Sequence, residues 1–171
     1  RERGMTEIAG PLGFTDMDAE GMLIEGFDQL STMATIYNYP YYPEHIERLG
    51  LEKATDWVEM KIYIPEGIPE KHQRIANIIS QKYGLHIRKI KSKYEALTSG
   101  ITHKIFELIN DAYEPLFGFS RMTQKQIDAY VKMYAPVLDL RMVTLAENDD
   151  GELVAVGTSM PSLSKALQKA K

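Results

Sequence analysis

Two kinds of apolar repeat share this chain, and few architectures accommodate both. Over residues 101–112 the apolar positions Ile101, Ile105, Leu108, Ile109 and Ala112 recur at the spacing that lines one face of a helix. Residues 56–65, DWVEMKIYIP, instead alternate. Val58, Met60, Ile62 and Ile64 fall on one side, with Glu59, Lys61 and Tyr63 on the other, as in a half-buried strand ended by Pro65. A chain that interleaves both periods is expected to form an α/β fold, a mixed sheet flanked by helices.

Further segments extend that pattern. TEIAGPLGF (6–14) reads as a buried strand running into a Pro/Gly turn, and DMDAEGMLIEGFDQL (16–30) as a helix weakened by Gly21 and Gly26. Pro43 and Gly50 bracket a short helix that shares Ile46 and Leu49. PEKHQRIANIISQKYG places Ile75, Ile78 and Ile79 on one helical face, with Gly84 as its stop. LHIRKIKS reads as a second alternating strand with Leu85, Ile87 and Ile90 inward. Thr123 and Gln126 have the spacing of a capping box ahead of a stripe of Ile127, Tyr130, Val131 and Tyr134. Two β-branched runs flank Asn148, Asp149, Asp150 and Gly151, a hairpin turn with glycine where a positive φ is needed. RERGMTEIAG at the start reads as the last turn of a helix, a glycine stop and then a strand, and SLSKALQKAK at the end as a helical pattern still under way, so the expectation is a piece of a longer protein.

Composition narrows the function classes. With 44% hydrophobic residues over 171 positions the chain can bury a core, and its net charge of −4 offers no general attraction to a nucleic-acid backbone. No apolar run approaches the roughly 20 residues of a membrane-spanning helix. The absence of cysteine excludes disulfides and thiolate chemistry. A cytoplasmic location is expected.

The chemical motifs are sparse. DMDAEG (16–21) has the acidic alternation of a calcium loop, but the twelfth position is Phe27 rather than a bidentate Glu. The other reading of that stretch is a helix start with carboxylates near its positive end. GPLGF is glycine-rich without the Gly-Lys-Ser/Thr of a phosphate loop. His45, His72, His86 and His103 have no partner at metal spacing, so no metal is expected, and His103 lies off its helix's apolar stripe. His45 is a catalytic candidate because it sits in NYPYYPEHIERLGL (38–51), a dense aromatic stretch before a short helix. Ser162 reads as a helix cap, and RKIKSK as the wet face of a strand. YEPLFGFSRMT (113–123) gathers Tyr113, Leu116, Phe117 and Phe119 between two helices, as a pocket wall or as a packed corner.

The order of segments from Leu85 onward, strand, helix, aromatic loop, helix and hairpin, resembles the opening half of the GNAT N-acyltransferase fold. The stretch up to Ile64, with HIERLGLEKATDWVEMKIYI, resembles the closing half of that fold. GPLGFTDMD, MATIYNYPYYPEHIERLG and GTSMPSLSKALQKAK resemble bacterial proteins that carry two such units in tandem. The resemblance implies three parts: 1–66 as the end of a first unit, 67–84 as a connecting helix and 85–171 as the start of a second. It implies transfer of an acyl group from acetyl-CoA or another acyl-CoA to an amine on a small molecule or amino acid, with a homodimer left open. It places Tyr113, Phe117 and Phe119 beside the acceptor, and Asn38 and Tyr41 near the thioester end of the coenzyme.

Two departures accompany it. The Gln/Arg-x-x-Gly-x-Gly/Ala segment that holds the coenzyme pyrophosphate is not among these residues, so the chain alone is expected to be inactive. Where many members have Phe-Tyr-x-x-x-Gly-Phe, this chain has His45, Ile46, Gly50 and Leu51. Ile46 therefore replaces the tyrosine that protonates the leaving thiolate. Tyr42, one turn earlier, is the candidate acid; Glu59 and Asp56 are candidate bases by residue type. The alternative is a GNAT-like module that binds without catalysing.

Overall fold

The computed structural model describes residues 2–32, 35–136 and 138–170, so the expectations resting on the terminal Arg1 and Lys171 lie outside the described residues. The fold is mixed α/β and divides into two compact units. One comprises Arg1–Val58, Pro115–Arg121 and Pro161–Lys171; the other comprises Glu59–Glu114 and Met122–Met160.

The second unit holds most of the regular structure. Helix α2 (Glu70–Tyr83) ends at Gly84, whose φ of 58° lets its N–H reach back to the Ser80 carbonyl. Strand β1 (His86–Arg88) follows, then α3 (Lys93–Thr98), α4 (Ile101–Tyr113) and α5 (Gln124–Tyr134). A 3-10 turn over Leu140–Met142 leads into β2 (Val143–Glu147), which turns back into β3 (Leu153–Thr158). The sheet order is β1-β2-β3, and both pairings are antiparallel, where a mixed sheet was expected. A turn as short as the one between β2 and β3 can join only antiparallel strands.

The hairpin forms as its residues dictate. Asn148 Oδ1 accepts from the N–H groups of Asp150 and Glu152, and Gly151 takes a φ of 76°. The capping box also forms: Thr123 N–H donates to Gln126 Oε1 at 2.8 Å, and Gln126 N–H donates to Thr123 Oγ1 at 3.4 Å. The core joins Ile90, Ala96, Ile101, Val143 and Leu145. Around α5, Phe106, Met122, Ile127, Val131 and Ala135 are also buried.

Three faces differ from the expected ones. Ile75, Ile78 and Ile79, expected as the buried face of α2, are exposed. Ile87 is 72% exposed, while Arg88 pairs in register with the buried Leu145 and so lies on the core side of the sheet. Arg88 is held there by Glu95 of α3, at 2.8 Å, and by Glu147 of β2. Two carboxylates on that face thus offset the charge that alternation would have sent outward. On α4 the buried positions are Ile101, Phe106 and Asn110, a stripe rotated from the expected one, and Ala112 is exposed. Phe106 stacks on Tyr130 with ring centres 6.0 Å apart. The Asn110 side chain bonds both backbone groups of Met122, at 2.8 and 3.1 Å.

The first unit contains α1 (Tyr42–Arg48) and α6 (Ser164–Lys169). Helix α1 has Pro43 in its first turn and ends at Gly50, with φ 81°. Ser162 Oγ accepts from Ser164 N–H at 3.4 Å, close to the expected cap, although the N-cap position itself is Leu163. The expected strand at 6–14 and helix at 16–30 do not form. Gly21 and Gly26 take φ values of 74° and 79°, which break a helix, and Asp18 instead accepts from the N–H groups of Phe14 and Thr15. Residues 57–64 also form no strand; Ile62 and Ile64, expected to be buried, are 81% and 89% exposed. Alternation sets which face a strand would bury, but a ladder needs a partner, and no described strand pairs there.

Candidate functional site

The aromatic stretch 37–46 of the first unit organises its most distinctive surface. Tyr37, Tyr39 and Tyr41 follow one another at alternate positions ahead of α1, and Phe27 packs edge-on to Tyr37 at 6.3 Å. Tyr39 and Tyr41 stack at 5.7 Å, nearly parallel, and Tyr41 contacts Tyr42 at 5.1 Å and the His45 ring at 5.2 Å. Pro40 and Pro43 restrict the backbone on either side of the last two tyrosines.

One side of this ladder borders an open cleft of about 390 Å³. Its walls come from Met22, Ile36, Tyr37, Tyr39, Tyr42 and Ile46, with Asn38 beneath. Pro11 and Gly21 complete it, their backbones tied by the Gly21 N–H donating to the Pro11 carbonyl at 2.8 Å. Asn38 ties the backbone at Leu23 to the start of the aromatic stretch. Its Oδ1 accepts from Leu23 N–H at 2.6 Å, and its Nδ2 donates to the Leu23 carbonyl at 3.1 Å and the Tyr39 carbonyl at 3.0 Å.

Of the residues singled out from sequence, the structure brings Asn38 and Tyr42 together on this cleft, alongside Ile46. Tyr41 stands beside them in the ladder but does not line the cleft. Phe117 belongs to the same unit and packs edge-on to Trp57 at 6.3 Å, and Phe119 is half-buried there. Tyr113 lies at the end of α4, in the other unit, as does the exposed Glu59. Asp56 accepts from Lys53 at 2.8 Å. His86 pairs with Asp149 at 2.6 Å, and His103 with Asp128 at 2.8 Å. Among the described residues no group of three His, Cys, Asp or Glu side chains gathers to hold a metal ion. No helix among them is long and apolar enough to cross a membrane.

Sequence reasoning did not single out Asp16 and Glu20, two partly buried carboxylates of the first unit, as site candidates. Burial raises the Asp16 carboxyl above its ordinary value. Burial raises Glu20 as well, with the charges of Asp16 and Asp18 adding to it against a hydrogen bond from the Gly13 backbone. Glu20 directly precedes Gly21 of the cleft wall. The signal was present in DMDAEG, which reads as a calcium-loop or helix-start pattern until its fold is seen. The walls at Pro11, Met22 and Ile36 have no such signal, because they meet through the fold of segments far apart in sequence.

Chemically, the cleft presents hydrocarbon and phenol. No acidic or basic side chain lines it other than the tyrosine hydroxyls, so it lacks the cations that phosphate groups require. It suits uncharged, largely apolar groups rather than phosphates.

Comparison with known proteins adds two relatives. The chain is 28% identical, over its whole length, to a protein of Caulobacter vibrioides named bacterial ceramide synthase, covering 43% of that protein. It is 22% identical to Protein YghO of Escherichia coli over 98% of its own length and 42% of the relative's. The chain thus spans less than half the length of these curated relatives. No protein-family model matches it, and no solved structure matches it.

Proposed function

We propose that this chain is part of an acyl-CoA-dependent N-acyltransferase of GNAT-like organisation. The observation that carries the proposal is the alignment of the entire chain with a relative named for ceramide synthesis, a reaction in which an amine receives an acyl group. The aromatic cleft supports it, because it offers an uncharged wall for an acyl group next to the hydroxyl of Tyr42.

In this reading the amine attacks the thioester carbonyl, the C–S bond breaks, the amide forms, and the sulfur leaves with a proton. Tyr42, at the cleft edge, supplies that proton to the departing thiolate. Tyr39 and Tyr41 hold the Tyr42 ring in place by stacking. Asn38 shapes the site by holding the backbone at Leu23 and Tyr39, to which its amide is committed. Glu59 and Asp56 remain candidate bases by residue type. Residues 1–66, 67–84 and 85–171 would then be the end of one unit, a connecting helix and the start of the next.

The test is an acyl-transfer assay on the protein that carries this chain, following release of free coenzyme A thiol from acetyl-, octanoyl- and palmitoyl-CoA with a panel of primary amines. Amine-dependent thiol release is expected, with Tyr42→Phe lowering it by on the order of 10²-fold, the usual contribution of a positioned acid. A folded sample that neither binds acyl-CoA nor releases thiol would sink the proposal. A second reading, a GNAT-like module that binds without turning over, draws on one feature: Ile46, which lines the cleft where the resemblance expects a tyrosine, has no proton to give. Acyl-CoA binding with no transfer to any amine would select it.

A further inference from the structure

We infer that the cleft between the aromatic ladder and Met22 receives the hydrocarbon of an acyl chain longer than acetyl, with Ile46 and Ile36 in contact with it. The inference rests on the acyl-transfer reading for the identity of the ligand, and on the cleft itself for its chemistry.

Three observations carry it. The lining has no charged side chain: Met22, Ile36, Ile46 and Pro11 give aliphatic surface, and Tyr37, Tyr39 and Tyr42 give aromatic surface. The one amide, on Asn38, has both its amide hydrogens and its oxygen engaged by Leu23 and Tyr39. A charged ligand group would therefore meet no opposite charge there, and a polar one only the tyrosine hydroxyls. Finally, a volume of about 390 Å³ far exceeds what the two carbons of an acetyl group occupy. Hydrocarbon is the chemistry that gains from such a lining, by up to about fourfold in affinity for each methylene it covers.

The chain carries its own reporter. Trp57 is its single tryptophan. A Cβ built on Gly21 would lie 3.3 Å from the Trp57 ring, so the indole sits directly behind a glycine of the cleft wall.

The experiment titrates the full chain with acetate, butanoate, octanoate and decanoate, each below its micelle-forming concentration. Binding is read from Trp57 fluorescence and, in parallel, by equilibrium dialysis. Saturable binding that tightens at least tenfold from butanoate to decanoate is expected, with none for acetate. Ile46→Asp, which puts a carboxylate in the wall, should weaken decanoate at least tenfold, while Ile46→Leu retains it. Equal affinity across the series, no binding, or an Ile46→Asp protein that folds and binds decanoate unchanged overturns the inference. If Ile46→Asp does not fold, the chain-length series on the unaltered protein decides. The two proposals separate cleanly. Acyl transfer without chain-length-dependent binding removes this inference alone, and chain binding lost in Ile46→Asp without acyl transfer removes the functional reading alone.

Discussion

Asp16 and Asp139 show how the same side chain acquires opposite roles. Burial raises Asp16, and it also raises Glu20, helped by the neighbouring carboxylates. Asp139 is held at about 2 by the Arg141 guanidinium and the Arg141 N–H. The signs follow. A raised carboxyl favours folding while protonated, below the ordinary values of 3.8 for Asp16 and 4.5 for Glu20, and loses that contribution as pH rises through the raised value. Asp16→Asn and Glu20→Gln remove a charge that burial disfavours, so each should raise the unfolding temperature more at pH 7 than near pH 3. Asp139 contributes fully above 3.8 and progressively less as pH falls through about 2, so Asp139→Asn should lower stability at pH 7 and do so less at pH 2. Thermal melts across that range check all three. At this scale the sequence named Asn38 and Tyr42 as site residues, and both border the cleft. It could not show that the Asn38 amide is consumed by Leu23, since that bond spans 15 positions.

At the scale of elements, the best-read features are those whose causes lie within a few residues. The capping box, the Gly84 stop and the Asn148–Gly151 turn each follow from side chains bonding to nearby backbone, and each forms. Thr123→Ala should cost about 1 kcal/mol by leaving first-turn N–H groups of α5 unpaired. Gly151→Ala should cost about 1–2 kcal/mol, because a φ of 76° crowds a Cβ against its own backbone although no other atom lies within 4 Å. Urea titrations of the two variants test these values, and hydrogen exchange at α5 and the hairpin locates the loss. The misread elements had weaker local causes. Residues 16–30 carry a helical apolar spacing, but two glycines at positive φ and the Asp18 carboxylate bonds outweigh it. On α4 the spacing of Ile101, Ile105 and Leu108 identified the helix, while Phe106 and Asn110, through Tyr130 and Met122, set which way it faces.

For the whole molecule, burial ranks what matters. Leu145 is fully buried at the centre of the sheet, so Leu145→Ala should cost about 2–5 kcal/mol through lost burial and the cavity left behind. Ile62 is apolar by pattern yet exposed, so Ile62→Ala should change stability by less than about 0.5 kcal/mol. Denaturation of the two variants side by side checks the contrast, and a large loss for Ile62→Ala would mean that its face is covered in solution. The sequence by itself determined where turns and caps fall, that helices and strands share the chain, and which residue types crowd the aromatic stretch. These are consequences of local sterics and short-range hydrogen bonds. Only the tertiary structure decided that Arg88 rather than Ile87 faces the helices, that residues 57–64 form no ladder, and that Pro11, Met22, Ile36 and Ile46 meet at one cleft. Periodicity encodes which side of an element is apolar, but the partner that covers that side lies far away in the chain, and nothing local specifies it.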